Sequence, residues 1–324
     1  MYPLFRAIFL LVACLLVSAH PAGAWGFFAH ERINRLAVFS LPPEMMVFFK
    51  PHIEYIVQQS TAPDKRRYLL PAEGARHYLD ADHYGEAPFS AVPRSWLEAQ
   101  AKFTADTLQR YGILPWHLEK MMAQLTTAFQ ARDGSRILKL AAELGHYMGD
   151  AHVPLHACSN HNGQFTGQHG IHGLWESRIP ELLADQYFDL WTGTAGYIKN
   201  SRELIWQVVT ASALAADTVL RLEKKLSLRF PADQRYAYEL RKGTLVRNYS
   251  TAYTKAYHRL LGDMVERRMR AAVATVAACW YTAWVDAGQP PLHSLTILLP
   301  DKAAIHQLDS LWQHGKIFNR EHQD

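Results

Sequence analysis

The chain has 324 residues, 49% of them hydrophobic and 20% charged, enough apolar material for a substantial core and no sign of a disordered composition. Its 34 Lys and Arg against 30 Asp and Glu leave a formal charge of +4, too small by itself to mark a nucleic-acid footprint. The 17 histidines exceed ordinary usage, and that excess points to metal or acid/base chemistry.

The amino terminus reads as an export signal over 1–24. Arg6 precedes an apolar run from Ala7 to Ala19, and Ala22-Gly23-Ala24 has the small-x-small form recognised before cleavage, so the mature chain is expected to begin at Trp25 and to be periplasmic or secreted. A competing reading takes Leu11-Val12-Ala13-Cys14 as a lipoprotein box that anchors the chain through Cys14. No later segment has 18 consecutive apolar residues, so no second membrane span is predicted. Export permits a disulfide between Cys158 and Cys279, and two free thiols are an equal reading.

Residues 25–324 are expected to form an all-α fold, a single mainly helical domain. An apolar-periodic helix runs through Ile33 to Phe39 and stops at Leu41-Pro42-Pro43. Shorter helices follow at Glu44 to Lys50 and around Ile53 to Gln58. Thr61 to Tyr68 reads as a polar loop, and 85–93 as a Gly/Pro-rich one. Periodic faces then predict helices over Trp96 to Arg110, Trp116 to Arg132 and Ser135 to Asp150, separated by Gly112, Pro115, Asp133 and Gly134. A polar loop fills Ala157 to Gly170, a helix resumes at His172 to Glu176, and long helical patterns occupy 201–228, 232–245 and 248–286. No period-2 run is convincing as a strand. The tail 288–324 holds an apolar run, Leu295 to Leu299, and a short helical pattern near Ala303 to Trp312.

The densest chemistry lies in His146-Tyr147-Met148-Gly149-Asp150-Ala151-His152-Val153-Pro154-Leu155-His156. On the helix from Ser135, His146 and Asp150 are i and i+4 and share a face. Pro154 forbids continuation and brings His156 round in a loop. A helix-borne His-x-x-x-Asp followed by a loop His presents nitrogen and oxygen ligands to zinc from a rigid base. His172 and Glu176 form a second i, i+4 pair, and with His156 they suffice for one zinc site that leaves a place for water. A terminus at Trp25 would carry an α-amine of ordinary pKa about 7.7–8.0, able to ligate a metal together with its own carbonyl, and His30 lies five residues on.

Trp25-Gly26 with nearby His30, His77-Tyr78-Leu79-Asp80-Ala81-Asp82, the His146 to His156 motif and His172-x-x-x-Glu176, in that order, resemble the zinc-dependent phospholipase C and S1/P1 nuclease superfamily over at least residues 25–176. The resemblance implies a helical domain with three zinc ions in a cleft between helices, cleaving phosphoester bonds. By motif, the first ion takes Asp64, His77, His146 and Asp150. The second takes His156, His172 and Glu176, and the third takes the Trp25 amine and carbonyl, His30 and Asp150. Asp80 and Asp82 compete with Asp64. The pattern Asp-x-x-Arg, met by Asp64-Lys65-Arg66-Arg67, favours Asp64 as the residue that orients or deprotonates water and puts Arg67 on substrate phosphate, the alternative for Arg67 being a solvated basic run.

Glu176 and the short interval from His156 to His172 resemble the phospholipase branch, whereas the spacing of His30 from Trp25 resembles the nuclease branch. The expected activity is therefore a phospholipase C-like phosphodiesterase, with an S1/P1-type single-strand nuclease or 3′-nucleotidase as alternative and a non-catalytic zinc- or lipid-binding protein as a second. The expected partner is a phosphoester substrate, phospholipid or nucleic acid, with transient membrane-surface contact and no stable protein partner. His152 is expected to hydrogen-bond near the metal ligands, and Tyr249, Tyr253 and Tyr257 to pack.

Overall fold

The computed structural model describes residues 26–67, 69–87, 89–241 and 244–298. The signal segment, Cys14, Trp25 and the tail beyond 298 lie outside them. The described chain is mainly helical with one small two-stranded antiparallel sheet, and its buried apolar residues form one continuous core.

That core is built round a single helix. The helices α1 (Phe27–Phe39), α2 (Pro43–Phe49) and α3 (Ile53–Gln59) come first, and α7 (Leu114–Gln130) and α8 (Gly134–Ala151) form a helical hairpin. Asp133 caps α8, its carboxylate accepting from Arg136 N–H at 3.0 Å. From Leu140 to Ala151 every residue of α8 is buried, the mark of a helix surrounded on all sides. Its enclosure comes from α1, α3, α7 and α13 (Met264–Asp286). Trp280 on α13 donates from Nε1 to Ala141 O at 3.0 Å and stacks on Phe49, centroids 5.3 Å apart. Val153 is extended ahead of Pro154, so α8 ends there and Pro154–Ala157 forms a 3₁₀ turn.

Several sequence expectations are corrected. Thr61 to Tyr68 is no open loop: Ala62–Arg66 forms a short helix, α4, with Pro63 in its first turn and Asp64 buried. The expected helix over Trp96 to Arg110 breaks at Thr104, φ +65°, into α5 (Trp96–Phe103) and α6 (Ala105–Tyr111), and the Thr104 hydroxyl caps the second. Pro115 sits in the first turn of α7, where it is tolerated, instead of preceding it. The pattern at 232–245 is not helical: Tyr236–Arg241 and Thr244–Tyr249 pair as antiparallel β1 and β2. Tyr236, Tyr238 and Leu240 alternate with Ala237, Glu239 and Arg241 at the period of a strand. The pattern at 248–286 splits at Gly262, φ +62°, into α12 (Thr251–Leu261) and α13. No disulfide joins Cys158 to Cys279.

The 27-residue helix α11 (Ser201–Ser227) has an 18-residue window of mean hydropathy 1.2 and is, by length and composition, apolar enough to cross a bilayer. Ile205, Trp206, Val209 and Val219 are buried, however, and the helix packs on α7, α12 and the turn Pro154–Ala157, as an amphipathic core helix does.

Candidate metal centre

Six separate chain segments deliver side chains to one buried point. α1 brings His30, α4 brings Asp64, and the 3₁₀ segment Pro71–His77 brings His77. α8 brings His146 and Asp150, the turn after it brings His156, and a further helix brings His172 and Glu176. That last helix starts as α9 (Ile171–Gly173), passes through a π turn, Leu174–Arg178, and continues as α10 (Ile179–Tyr187). π turns recur at functional sites, and here one displays Glu176. All eight residues are at most 6% exposed.

Three donor groups can be drawn among them: His77 with His146 and Asp150, His156 with His172 and Glu176, and His30 with Asp64 and His146. Within each group the donor atoms lie within 4.8 Å of one another. The second is the sequence-predicted set, and the first holds three of the four residues predicted for its ion, without Asp64. The third differs from expectation, since His30 falls with Asp64 and His146 as well as standing 3.4 Å from Asp150 Oδ1. Asp64 Oδ1 is 3.9 Å from both His77 Nδ1 and His146 Nε2. His146 Nε2 is 3.3 Å from Asp150 Oδ2, and His77 Nδ1 is 2.9 Å from it. In the second group Glu176 Oε2 is 3.3 Å from His156 Nε2 and 3.0 Å from His172 Nε2, so the helical i, i+4 spacing survives the π turn.

Outward nitrogens of these imidazoles are held by backbone carbonyls. His146 Nδ1 lies 2.8 Å from Ser60 O, and His156 Nδ1 lies 2.6 Å from His77 O. With those nitrogens donating, each Nε2 turns a lone pair inward, the arrangement that orients histidine ligands of metals. The His77 carbonyl also couples the first group to the second, because the main chain of one donor positions the ring of another.

The donor atoms fit a cation. His30 Nε2, Asp64 Oδ1 and Oδ2, His156 Nε2, and Glu176 Oε1 and Oε2 are buried with no hydrogen-bond partner in the protein, and groups of that kind are otherwise costly to bury. Burial pushes the Asp64 carboxyl up to about 6 and that of Glu176 up to about 8, against the opposing pull of His146 on the former and of His156 on the latter. Burial, reinforced by His146, pulls His30 down to about 3. Asp150 goes the other way. Burial would raise it, but the imidazoles of His146 and His156 hold it well below the usual carboxylate range. Mixed imidazole and carboxylate sets of three suit zinc in an open catalytic site.

Beneath these groups lies a layer that the sequence reading missed. Glu73, fully buried, accepts from the Tyr147 hydroxyl and from Arg76 Nη1 at 2.6 Å, and its Oε1 is 4.0 Å from His77 Nε2. Arg66 extends the layer, donating from Nη1 to Glu143 at 2.6 Å. The spacing Glu73-x-x-x-His77 is the one trace this network leaves in the sequence. Arg67, next in the chain, turns to the donor groups instead: its Nη1 is 3.8 Å from Asp64 Oδ1 and its side chain is 11% exposed, so it belongs to no solvated basic run.

The remaining expected residues divide. Among the competitors of Asp64, Asp82 is exposed and accepts from Ser159 N–H at 3.0 Å, while the Asp80 main chain is tied to Tyr111 O. His152 stands apart from the donors. Its Nε2 is 3.3 Å from Thr275 Oγ1 and its carbonyl accepts from Arg268, a scaffold role set by Val153 and Pro154 turning the chain away. His161 faces His172, ring centroids 6.0 Å apart. Tyr249, Tyr253 and Tyr257 do pack, the first two stacked at 5.4 Å, though Tyr249 ends β2 and is not helical.

Trp25 lies outside the described residues, but Gly26, next to it, is buried against the site. Its N–H donates to Glu176 O at 3.3 Å, and a Cβ there would come within 2.5 Å of Ser177 Oγ. No protein-family model and no curated protein matches the chain.

Proposed function

We propose that the protein is an exported, zinc-dependent hydrolase of phosphoric esters, phospholipase C-like, working on a phosphodiester. The observation that carries the reading is the convergence of five buried imidazoles and three buried carboxylates from six segments, with inward donor atoms on His30, Asp64, His156 and Glu176 that have no hydrogen-bond partner. Three zinc ions would be held, the first by Asp64, His77, His146 and Asp150, the second by His156, His172 and Glu176, and the third by His30, Asp150 and the Trp25 amine and carbonyl. The docking of Gly26 on Glu176 supports a role for the residue before it. Bound zinc supplies Lewis acidity, lowering the pKa of water and neutralising charge on phosphoryl oxygens.

The chain's own groups do the rest. Asp64, with both oxygens lacking a hydrogen-bond partner and its carboxyl pushed up to about 6, orients the attacking water and accepts its proton near neutral pH. Arg67, held beside Asp64, offers a planar fork to the non-bridging phosphate oxygens. Storage or transport of zinc requires neither residue, and their place beside the donors favours turnover over a binding protein. A 3′-nucleotidase or single-strand nuclease is the second reading, favoured by the spacing of His30 five residues after Trp25.

Zinc content and hydrolysis of phosphatidylcholine, single-stranded DNA, RNA and 3′-nucleotides, measured side by side on protein beginning at Trp25, test the proposal. About three zinc ions per chain and cleavage of phosphatidylcholine above the others are expected. A preparation without zinc refutes the whole reading, and preferential cleavage of nucleic acid transfers it to the nuclease branch.

A further inference from the structure

The β1–β2 hairpin has two faces of opposite character. On one, Glu239 takes both guanidinium nitrogens of Arg178, Nη1 at 2.9 Å, and Arg241 Nη2 pairs with Glu181 at 2.7 Å. That face is thereby clamped to the helix that displays Glu176, two residues before Arg178. On the other face, Leu240 stands opposite Leu245 in the register and Tyr238 lies one pleat along, opposite Arg247. Tyr238, Leu240 and Leu245 are 70%, 74% and 64% exposed. A lone two-stranded hairpin is marginal in water, so ion pairs that hold it in place while three large apolar side chains face outward call for a partner on that side.

Charge describes the partner. From Arg221 to Tyr249, seven of the described residues are Lys or Arg and three are Asp or Glu, a net +4 that equals the formal charge of the whole chain. Glu223 is buried against Tyr253 and Gln168, Glu239 and Arg241 are both used in the clamp, and Arg221 lies 3.6 Å from Asp217, which leaves Lys224, Lys225, Arg229, Arg235 and Arg247 against Asp233. Lys225, Leu228 and Arg229 at the end of α11 are exposed. Arg235 donates to Ser227 O at 2.7 Å, and Tyr249 donates to His169 O at 3.0 Å, so the end of α11, the hairpin and the loop between His156 and His172 form one connected rim beside the donor groups. A nucleic-acid strand would satisfy the cations but leave Leu240 and Leu245 in water, since bases stack on aromatic planes. An anionic bilayer offers headgroup charge to Lys and Arg, hydrocarbon to Leu, and an interface of the kind Tyr prefers.

We propose that the outer face of the β1–β2 hairpin, with the end of α11, seats the protein on the surface of an anionic phospholipid bilayer. The proposal deepens the phospholipase reading, on which its biological sense rests, while its test does not depend on turnover. Zinc-loaded protein carrying Asp64→Asn, to suppress cleavage, is sedimented with vesicles of phosphatidylcholine alone or mixed with phosphatidylglycerol. Binding to the mixed vesicles is expected. Replacing Tyr238, Leu240 and Leu245 together by Ser should weaken it by at least about tenfold, and Arg229→Glu and Arg247→Glu by about fivefold each or more, with higher salt acting in the same direction. Unchanged thermal unfolding of these surface variants shows that the fold is kept. In the Asp64→Asn background, cleavage of a soluble short-chain phosphoester should be equally low for all; with Asp64 restored, the hairpin variants should cleave that substrate normally and vesicle lipid poorly. No binding to mixed vesicles, binding undiminished by the triple variant, or displacement by single-stranded DNA at lower concentration than by vesicles overturns the proposal. Vesicle binding that meets these criteria in a protein that cleaves no phosphoester refutes the hydrolase reading and leaves the docking surface standing.

Discussion

Asp150 touches four of the five imidazoles at the site. Oδ2 lies 2.9 Å from His77 and 3.3 Å from His146, and Oδ1 lies 3.4 Å from His30 and 3.8 Å from His156. Its carboxylate therefore serves more than one donor group, whereas the His156 ring works mainly with His172 and Glu176. Asp150→Asn should remove two of the three proposed zinc ions and His156→Ala about one, as read by metal analysis of the purified variants; equal losses would refute the bridging role. At the same scale Arg66 and Arg67 show how little a run of like residues says about each member. Arg66 is spent on Glu143 and Glu73, and Arg67 faces Asp64, because successive residues of a short helix point about 100° apart.

Between elements, the decisive contact is the seam of α1 on α8. Gly145 and Gly149 line it: a Cβ at Gly145 would stand 2.0 Å from Asn34 Oδ1, and one at Gly149 would stand 3.2 Å from His30 Nδ1. Asn34 uses the closeness, donating to Ala142 O at 2.9 Å. Gly145→Ala must displace the buried Asn34 side chain, breaking its bond to Ala142 O, and the strain falls on the α1 turn that carries His30. A loss of about 1–3 kcal/mol is expected, the scale of an overpacked core, together with weaker retention of one zinc, measured by chemical denaturation and by zinc release to a chelator. If stability and zinc are both unaffected, α1 does not depend on the small residue. The elements also show where the sequence was legible. His146 with Asp150 and His172 with Glu176 could be paired from spacing alone because the helix repeat is a property of the backbone. β1 and β2 read as helix in the sequence because six residues each are too short for the alternation of Tyr236, Tyr238 and Leu240 with Glu239 and Arg241 to stand out against a helical period.

For the whole molecule, the buried carboxylates link metal, protons and stability. Glu176, pushed up to about 8 by burial, holds a proton at pH 7 that zinc must displace. Zinc uptake at pH 7 should therefore release about one proton from this group, and calorimetry in two buffers of different ionisation enthalpy would count it. The sign for metal-free stability follows from its folded pKa lying above the unfolded 4.5: as pH rises toward 8 the folded state binds more protons than the unfolded state, and stability falls. Burial works against the charge on His146, but the carboxylates of Asp150 and Asp64 outweigh it and raise its pKa, which adds a change of the same sign above 6.5. His30, lowered to about 3, acts oppositely but mainly below 6.5. From 6.5 to 8 the metal-free protein should lose stability while zinc, at a thousandfold excess over its dissociation constant, restores about 4 kcal/mol per site. Thermal unfolding with zinc and with a chelator across that range checks it; a gap that narrows as pH rises would refute the assignment.

The sequence by itself determined the helical character of the chain and the identity of the central donors, since apolar periodicity and i, i+4 spacing are local and need no partner. Asp64 was singled out only by the Asp-x-x-Arg pattern that the family resemblance implies, within a stretch that reads as open loop. Only the tertiary structure decided that Asp64 is buried beside His77 and His146, that His30 reaches Asp150 across a glycine seam, and that Glu73 and Tyr147 underlie the site. The reason is that burial and long-range contact are imposed by packing around α8, and a residue's own neighbours in the chain carry no record of which distant surface will cover it.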